Sequence, residues 1–86
     1  MNVRDAPIFS QVESIMIEVF RIPAGAAIGA ETTSAEVEGW DSLSHAVLIM
    51  KIEEHFRIEL PLDRAYALKN VGELVALVRD CQAANS

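Results

Sequence analysis

The sequence predicts an all-α protein: a four-helix bundle with a short third helix and a long loop between helices I and II. Apolar residues recur at helical spacing in three separate segments. No run alternates apolar and polar residues, as a half-buried β-strand would. Prolines at positions 23 and 61 interrupt the pattern, and proline ends or kinks a helix. These observations together favour helices joined by loops.

The length of 86 residues suits a single domain. We expect one domain over 1–86, with helices at about 6–22, 42–57, 62–68 and 71–81. The lone cysteine, Cys81, cannot form an internal disulfide, which favours a reducing, cytoplasmic location. Its position in the last helix indicates a small apolar packing residue. We expect no signal peptide, and apolar runs such as 46–50 are far too short to span a bilayer.

The first helix is predicted to begin at Asp5, as its cap, with Pro7 in the first turn. Pro23 and Gly25 should end it. From there to Asp41 no periodic pattern holds, so this stretch is expected to be a long loop. The loop should be attached to the core by apolar residues: Ile28, Val37 and Trp40.

The second helix is predicted to begin at the Asp41–Ser42 step, and Pro61 separates it from one or two further helical turns. Asn70 with Glu73 resembles a capping box that opens the last helix. Helical spacing then assigns the bundle interior to these residues: Phe9, Met16, Phe20, Leu48, Ile52, Phe56, Val71, Leu74 and Val78.

Two faces of the second helix are apolar. One contains Leu48 and Ile52 and ends in Phe56, which makes it the better core candidate. The other begins beside Ser42 and contains Leu43, Ala46, Val47 and Met50. The surrounding helices could bury both faces, or the second face could be a partly exposed docking surface. The spacing alone does not separate these interpretations.

The formal net charge is −6, and the basic residues are scattered without forming a stripe. Nucleic-acid binding through phosphates is therefore not expected. Between positions 31 and 63 there are eight acidic residues and only two basic ones. This region should therefore attract basic partner surfaces. We interpret Glu53 and Glu54 as solvated acids that meet arginines on a partner, because no spaced set of metal ligands accompanies them.

The segment Asp41-Ser42-Leu43 lies where the long loop meets the second helix. Asp41 can cap the helix, which places Ser42 in the first turn, where backbone N–H groups lack intrahelical acceptors. A phosphate ester on the Ser42 hydroxyl would lie at the positive end of the helix. The alternative is that Asp-Ser is only a cap. His45 could be read as a base for Ser42, but a polar residue at the edge of the core is the favoured interpretation.

This segment resembles the acyl carrier protein family, whose signature is Asp-Ser-Leu at the start of the second of four helices. The resemblance continues to about Val78 and includes these residues: Leu48, Met50, Glu53, Glu54, Phe56, the stretch 58–61 and Val71. It implies that Ser42 receives 4′-phosphopantetheine from coenzyme A through a separate transferase, with Asp41 and Leu43 beside it. The arm's thiol would then carry an acyl group.

The resemblance also implies partners: a phosphopantetheinyl transferase and the loading and condensing enzymes of fatty acid, polyketide or specialised lipid biosynthesis. Leu43, Val47, Met50, Glu53 and Glu54 would form the partner surface. Ser44, Val47 and Lys51 depart from residues common in carriers of fatty acid synthesis, which favours a specialised pathway. We expect a non-catalytic, monomeric carrier that binds neither nucleic acid nor membranes. The alternatives are a helical interaction module without an arm and, more weakly, a hydrolase using Ser42.

Overall fold

The computed structural model describes residues 5–23 and 28–84. Within these ranges it contains four α-helices and no strand, which confirms the all-α prediction. The helices are α1 (Ala6–Phe20), α2 (Ser42–Phe56), α3 (Leu62–Ala65) and α4 (Val71–Ala84), and a short 3-10 helix at Ser34–Glu36 lies in the long loop. The third helix is shorter than the expected 62–68, and the fourth continues three residues past the expected 81. None of the helices in the described ranges has the length and apolar character needed to cross a membrane.

Helix α1 begins at Ala6, as predicted, and ends at Phe20, two residues before the expected 22. Asp5 precedes the helix but makes no capping hydrogen bond; its buried carboxylate instead pairs with Arg79 of α4, at 2.9 Å between Oδ2 and Nη1. Asp5 therefore stands at the predicted cap position, but its side chain does not cap the helix, because the long-range ion pair takes the carboxylate. Arg21 ends the helix in the left-handed conformation, with a φ of 52°. Gly25, the other expected terminator, lies outside the described residues.

The core lies between α1, α2 and α4. Six of the residues assigned to the interior are buried: Met16, Leu48, Ile52, Val71, Leu74 and Val78. The three phenylalanines, Phe9, Phe20 and Phe56, are only half-buried and pack against the edge of this cluster. The prediction that they are interior residues is wrong, because a small bundle has more apolar helical positions than interior space.

The long loop contacts the start of α4 through its backbone. The N–H of Val71 donates to the carbonyl of Thr32 at 3.0 Å, and the N–H of Gly72 donates to that of Ala30 at 2.7 Å. Because the first N–H groups of a helix have no intrahelical acceptors, these bonds satisfy two of them. A Cβ at position 72 would lie 2.9 Å from the Ala30 oxygen. Gly72 therefore permits the close approach that attaches the loop.

Candidate functional site

The junction of the long loop with α2 is held by a reciprocal pair of hydrogen bonds. The N–H of Ser44 donates to Oδ1 of Asp41 at 2.9 Å, and the N–H of Asp41 donates to the Ser44 hydroxyl at 2.8 Å. This is a capping box, with serine in place of the usual Glu or Gln. The Ser44 hydroxyl donates in turn to the carbonyl of Gly39 at 2.6 Å, and Gly39 has a φ of 85°. Asp41 is therefore the cap of α2, as predicted, and Ser44 is its partner.

Ser42 is the first residue of α2 and is exposed. Its hydroxyl makes no hydrogen bond to any residue in the ranges that the structure describes. The N-terminus of the helix carries the positive end of the backbone dipole, so an anion bonded to this hydroxyl would be favourably placed. The geometry gives Ser42 an accessible hydroxyl on a rigidly capped helix end.

The Asp41 carboxylate is fully exposed and ionised near neutral pH. The hydrogen bond from the Ser44 backbone N–H is the main reason why the pKa of Asp41 lies below the ordinary value of 3.8. The hydrogen bond from the Ser44 hydroxyl lowers this pKa further. Its negative charge also lies at the favourable end of α2. The cap is thus in its charged, accepting form wherever the protein is near neutral pH.

His45 lies one turn further along α2 and has both ring nitrogens engaged. Nε1 of Trp40 lies 3.0 Å from Nδ1, and the carbonyl oxygen of Ala65 lies 2.8 Å from Nε2. The ring stacks on Trp40 and meets the edge of Tyr66, with ring centroids 6.0 and 5.1 Å apart. Since neither nitrogen is free for Ser42, this arrangement does not support His45 as a base. It confirms the interpretation of a half-buried polar residue at the core edge.

A cleft of about 310 Å³ opens beside Ser42. It lies between the start of α2, the long loop and the segment that joins α3 to α4. These residues line it: Ser34, Trp40, Asp41, Ser42, His45, Tyr66, Leu68, Lys69, Asn70 and Leu74. No local sequence pattern marked Lys69 and Tyr66 as neighbours of Ser42. They lie more than twenty positions away in the chain, and only the tertiary contacts of His45 with Ala65 and Tyr66 bring this segment close to the start of α2.

Of the residues predicted to form the partner surface, Leu43 and Met50 are exposed by 78% and 54%. Val47 is half-buried between them. The interpretation in which the other helices bury this whole face is therefore wrong. Two further exposed apolar residues were not predicted for this surface: Leu62, the first residue of α3, at 70%, and Tyr66, directly after α3, at 52%.

The two acids of α2 differ in their surroundings. Glu54 is exposed, as predicted. Glu53 is half-buried, and its Oε2 accepts a hydrogen bond from the backbone N–H of Leu60 at 2.8 Å. The description of Glu53 as a solvated acid is wrong, because this carboxylate fastens the loop that follows α2.

Other reactive groups are placed away from Ser42. Cys81 is half-buried on α4 and lines a different cleft, with Glu53 and Arg57. Burial raises the pKa of its thiol, so it is the neutral thiol near pH 7. Among the described residues, no group of histidine, cysteine and carboxylate side chains is arranged to hold a metal ion.

Comparisons with known proteins agree with this geometry. The profile of the family described as "Phosphopantetheine attachment site" matches residues 10–78. The acyl carrier proteins of Helicobacter pylori (strain J99) and Helicobacter acinonychis are each 33% identical over 73 residues, which cover 85% of this chain and 92% of theirs. The solution structure of holo acyl carrier protein from Geobacter metallireducens is 34% identical, with a TM-score of 0.82 over 92% of this chain and 90% of that one. The chain therefore belongs to the acyl carrier protein family, whose cofactor is covalently attached 4′-phosphopantetheine.

Proposed function

We propose that the hydroxyl of Ser42 is the attachment point of the arm and that the protein carries acyl intermediates as thioesters on it. The observation that carries this proposal is the free, exposed hydroxyl at the first residue of α2. Ser44, only two residues further on, is a poor alternative because its hydroxyl is used in the capping box.

The residues around Ser42 fit a phosphodiester. The start of α2 supplies backbone N–H groups and the positive end of the helix dipole. Lys69 lines the same cleft and contributes a positive charge near the expected anion. The exposed Asp41 carboxylate contributes an opposing charge, but its lone pairs are directed to the Ser44 N–H and hydroxyl. The helix N-terminus and Lys69 together outweigh the Asp41 charge, so a permanent anion is favoured at this position.

Attachment is a phosphoryl-group transfer. Oγ of Ser42 forms a bond to the phosphorus that bears pantetheine in coenzyme A, and the anhydride bond to the second phosphorus breaks. Adenosine 3′,5′-bisphosphate leaves, and the hydroxyl proton passes to a base. A separate transferase must supply this base, because both nitrogens of His45 are engaged. Once attached, the arm supplies a terminal thiol for thioester formation.

The carrier is proposed to act without catalysing a reaction itself, as a single domain in the cytoplasm. Its pathway is fatty acid, polyketide or specialised lipid biosynthesis, and Val47 and Lys51 favour a specialised one. Its partners are then the transferase and the loading and condensing enzymes. The exposed Leu43 and Met50 provide apolar contacts for them, and Glu54 attracts basic residues. A helical interaction module without an arm is the competing function.

The test is the intact mass of the protein after incubation with coenzyme A and a broad-specificity phosphopantetheinyl transferase. The parent should gain the mass of one arm, and Ser42→Ala should gain none. Ser10→Ala is the matched control, since Ser10 is an exposed serine on α1, and it should be modified like the parent. Circular dichroism must show that all three proteins are equally helical. A folded parent that accepts no arm would instead support the interaction module.

A further inference from the structure

The direction of the Ser42 hydroxyl is set by the backbone alone. Ser42 is exposed at the first residue of α2, and its hydroxyl makes no hydrogen bond to any residue that the structure describes. Oγ is separated from the backbone by a single staggered torsion, so its position follows the first turn of the helix. That turn frays most easily, because its N–H groups lack intrahelical acceptors. The orientation of Oγ therefore depends on what holds this turn.

The hydroxyl of Ser44 holds the turn at two points. It accepts a hydrogen bond from the N–H of Asp41 at 2.8 Å and donates one to the carbonyl of Gly39 at 2.6 Å. Oδ1 of Asp41 lies 3.1 Å from the same hydroxyl and shares its proton. One hydroxyl thus joins the end of the long loop to the first turn of α2, with Ser42 between the joined residues.

The Gly39 end of this link has no other connection to the helix. Within the described ranges, Ser44 is the one residue of α2 that is hydrogen-bonded to Gly39; the N–H of Asp41, 3.1 Å from the Gly39 carbonyl, lies in the loop itself. Gly39 has a φ of 85°, a conformation that glycine adopts without steric cost. A Cβ at position 39 would meet nothing within 4 Å, so alanine would be strained there by its backbone conformation alone.

We propose that Ser44 is a positioning residue for attachment of the arm: its hydroxyl, held between Asp41 and Gly39, keeps the first turn of α2 in one conformation and so directs Oγ of Ser42 at the incoming phosphorus. The inference rests on the proposed attachment at Ser42. Ser44 takes no part in the bond that forms. Without its hydroxyl, Ser42 remains present and exposed but is no longer held in one direction. A misdirected nucleophile slows the chemical step and leaves docking unchanged.

The test separates the rate of arm transfer from the binding of the carrier. A single turnover with saturating broad-specificity phosphopantetheinyl transferase and coenzyme A gives the rate, and steady-state measurements give the KM for the carrier. In Ser44→Ala the single-turnover rate should fall about tenfold and KM should change by less than about twofold, since a small misplacement of the reacting atom affects the chemical step. Partial unfolding of the variant would instead raise the apparent KM, because fewer carriers could bind.

Two further substitutions at serine positions serve as controls. Ser44→Thr retains a hydroxyl and should restore most of the rate. Ser14→Ala is the matched control, because it removes a hydroxyl that also donates to a backbone carbonyl, that of Ser10 at 3.1 Å on α1. It should react like the parent. Circular dichroism must show that the compared proteins are equally helical.

Gly39→Ala perturbs the same link from the loop side and keeps the test valid if Ser44→Ala does not fold. It should also slow the single turnover about tenfold, and the double variant should be about as slow as either single variant, because residues that act through one link are not additive. The inference is overturned if either single variant reacts at the rate of the parent, if KM alone changes, or if the two effects multiply. A parent that accepts no arm on Ser42 would overturn the proposed function as well, and intact mass shows this before any rate is measured.

Discussion

Nε1 of Trp40 donates a hydrogen bond to Nδ1 of His45 across 3.0 Å. An indole nitrogen can only donate, so Nδ1 must be the accepting, unprotonated nitrogen. The proton of the neutral ring is then on Nε2, which donates to the carbonyl of Ala65 at 2.8 Å. One tautomer therefore satisfies both contacts and links the loop, α2 and the end of α3.

Trp40→Phe should remove the donor and leave Nδ1 of His45 without its partner. A net hydrogen bond is worth about 0.5–1.5 kcal/mol, so we expect the free energy of unfolding to fall by about 1 kcal/mol. Urea unfolding measures this loss, and ¹⁵N chemical shifts of the His45 ring should show the Nε2–H tautomer in the parent. An Nδ1–H tautomer in the parent would contradict the assignment.

Gly72→Ala tests the attachment of the long loop to α4. Alanine is favoured over glycine inside a helix by about 1 kcal/mol. The new Cβ would lie 2.9 Å from the Ala30 carbonyl oxygen, however, and overpacking typically costs about 1–3 kcal/mol. Because the obstacle is backbone, we expect the clash to outweigh the helix preference and net stability to fall. Faster exchange of the backbone amide at position 72 in the variant than in the parent would confirm that the loop has moved, whereas a stabilised variant would contradict the close approach.

Leu48→Ala and Phe56→Ala test where the core ends. Leu48 is completely buried and Phe56 only half-buried. A buried Leu→Ala change costs about 2–5 kcal/mol, and we expect this cost for Leu48. Phe56→Ala should lose less than Leu48→Ala although it removes more atoms. Chemical denaturation of both variants decides this order, and the reverse order would place Phe56 inside the core.

Asp41→Asn tests the charged cap by its dependence on pH. The lowered folded-state pKa of Asp41 means that its charge stabilises the fold above the unfolded-state value of about 3.9. That contribution disappears as pH falls through the folded-state pKa. Asparagine is also a good cap but does not titrate. The stability difference between parent and Asp41→Asn should therefore shrink from pH 6 to pH 3, and a difference that stays constant would exclude a charge effect.

Leu43→Ala tests the proposed docking surface. Burying a leucine side chain contributes about 1.5–3 kcal/mol, whereas an exposed ion pair contributes at most about 1 kcal/mol and weakens with salt. We therefore expect the KM of the transferase for Leu43→Ala to rise about tenfold, which corresponds to about 1.4 kcal/mol. Ile17→Ala, at a half-exposed apolar residue of α1, is the control and should not change KM. If the two substitutions changed KM equally, α2 would not be the docking surface.

Local patterns predicted much of this structure. The start of α2 at Asp41 and the pairing of Asn70 with Glu73 depend on residues within one helical turn, and both are confirmed. The Glu73 carboxylate accepts the reciprocal hydrogen bond from the backbone N–H of Lys69, whereas a capping box would use the N–H of Asn70. Such short-range signals need no knowledge of the tertiary fold.

The remaining features depend on contacts between distant segments. The ion pair of Asp5 with Arg79 joins positions 74 residues apart, and no local rule distinguishes it from a cap. Helical spacing placed Phe56 on the core face, but only the packing of α1 and α4 determines how far along α2 the core extends. The cleft beside Ser42 likewise needs α3 in place, so Lys69 and Tyr66 could not be assigned to it.

The central claim is that Ser42 carries the arm, and fragment mass spectrometry of the modified protein tests it most directly. A peptide that contains both Ser42 and Ser44 should be isolated after reaction with coenzyme A and transferase, and then fragmented to locate the added mass. We predict the whole modification on Ser42, with Ser44 unmodified. Modification at Ser44, or at a serine outside this peptide, would contradict the assignment.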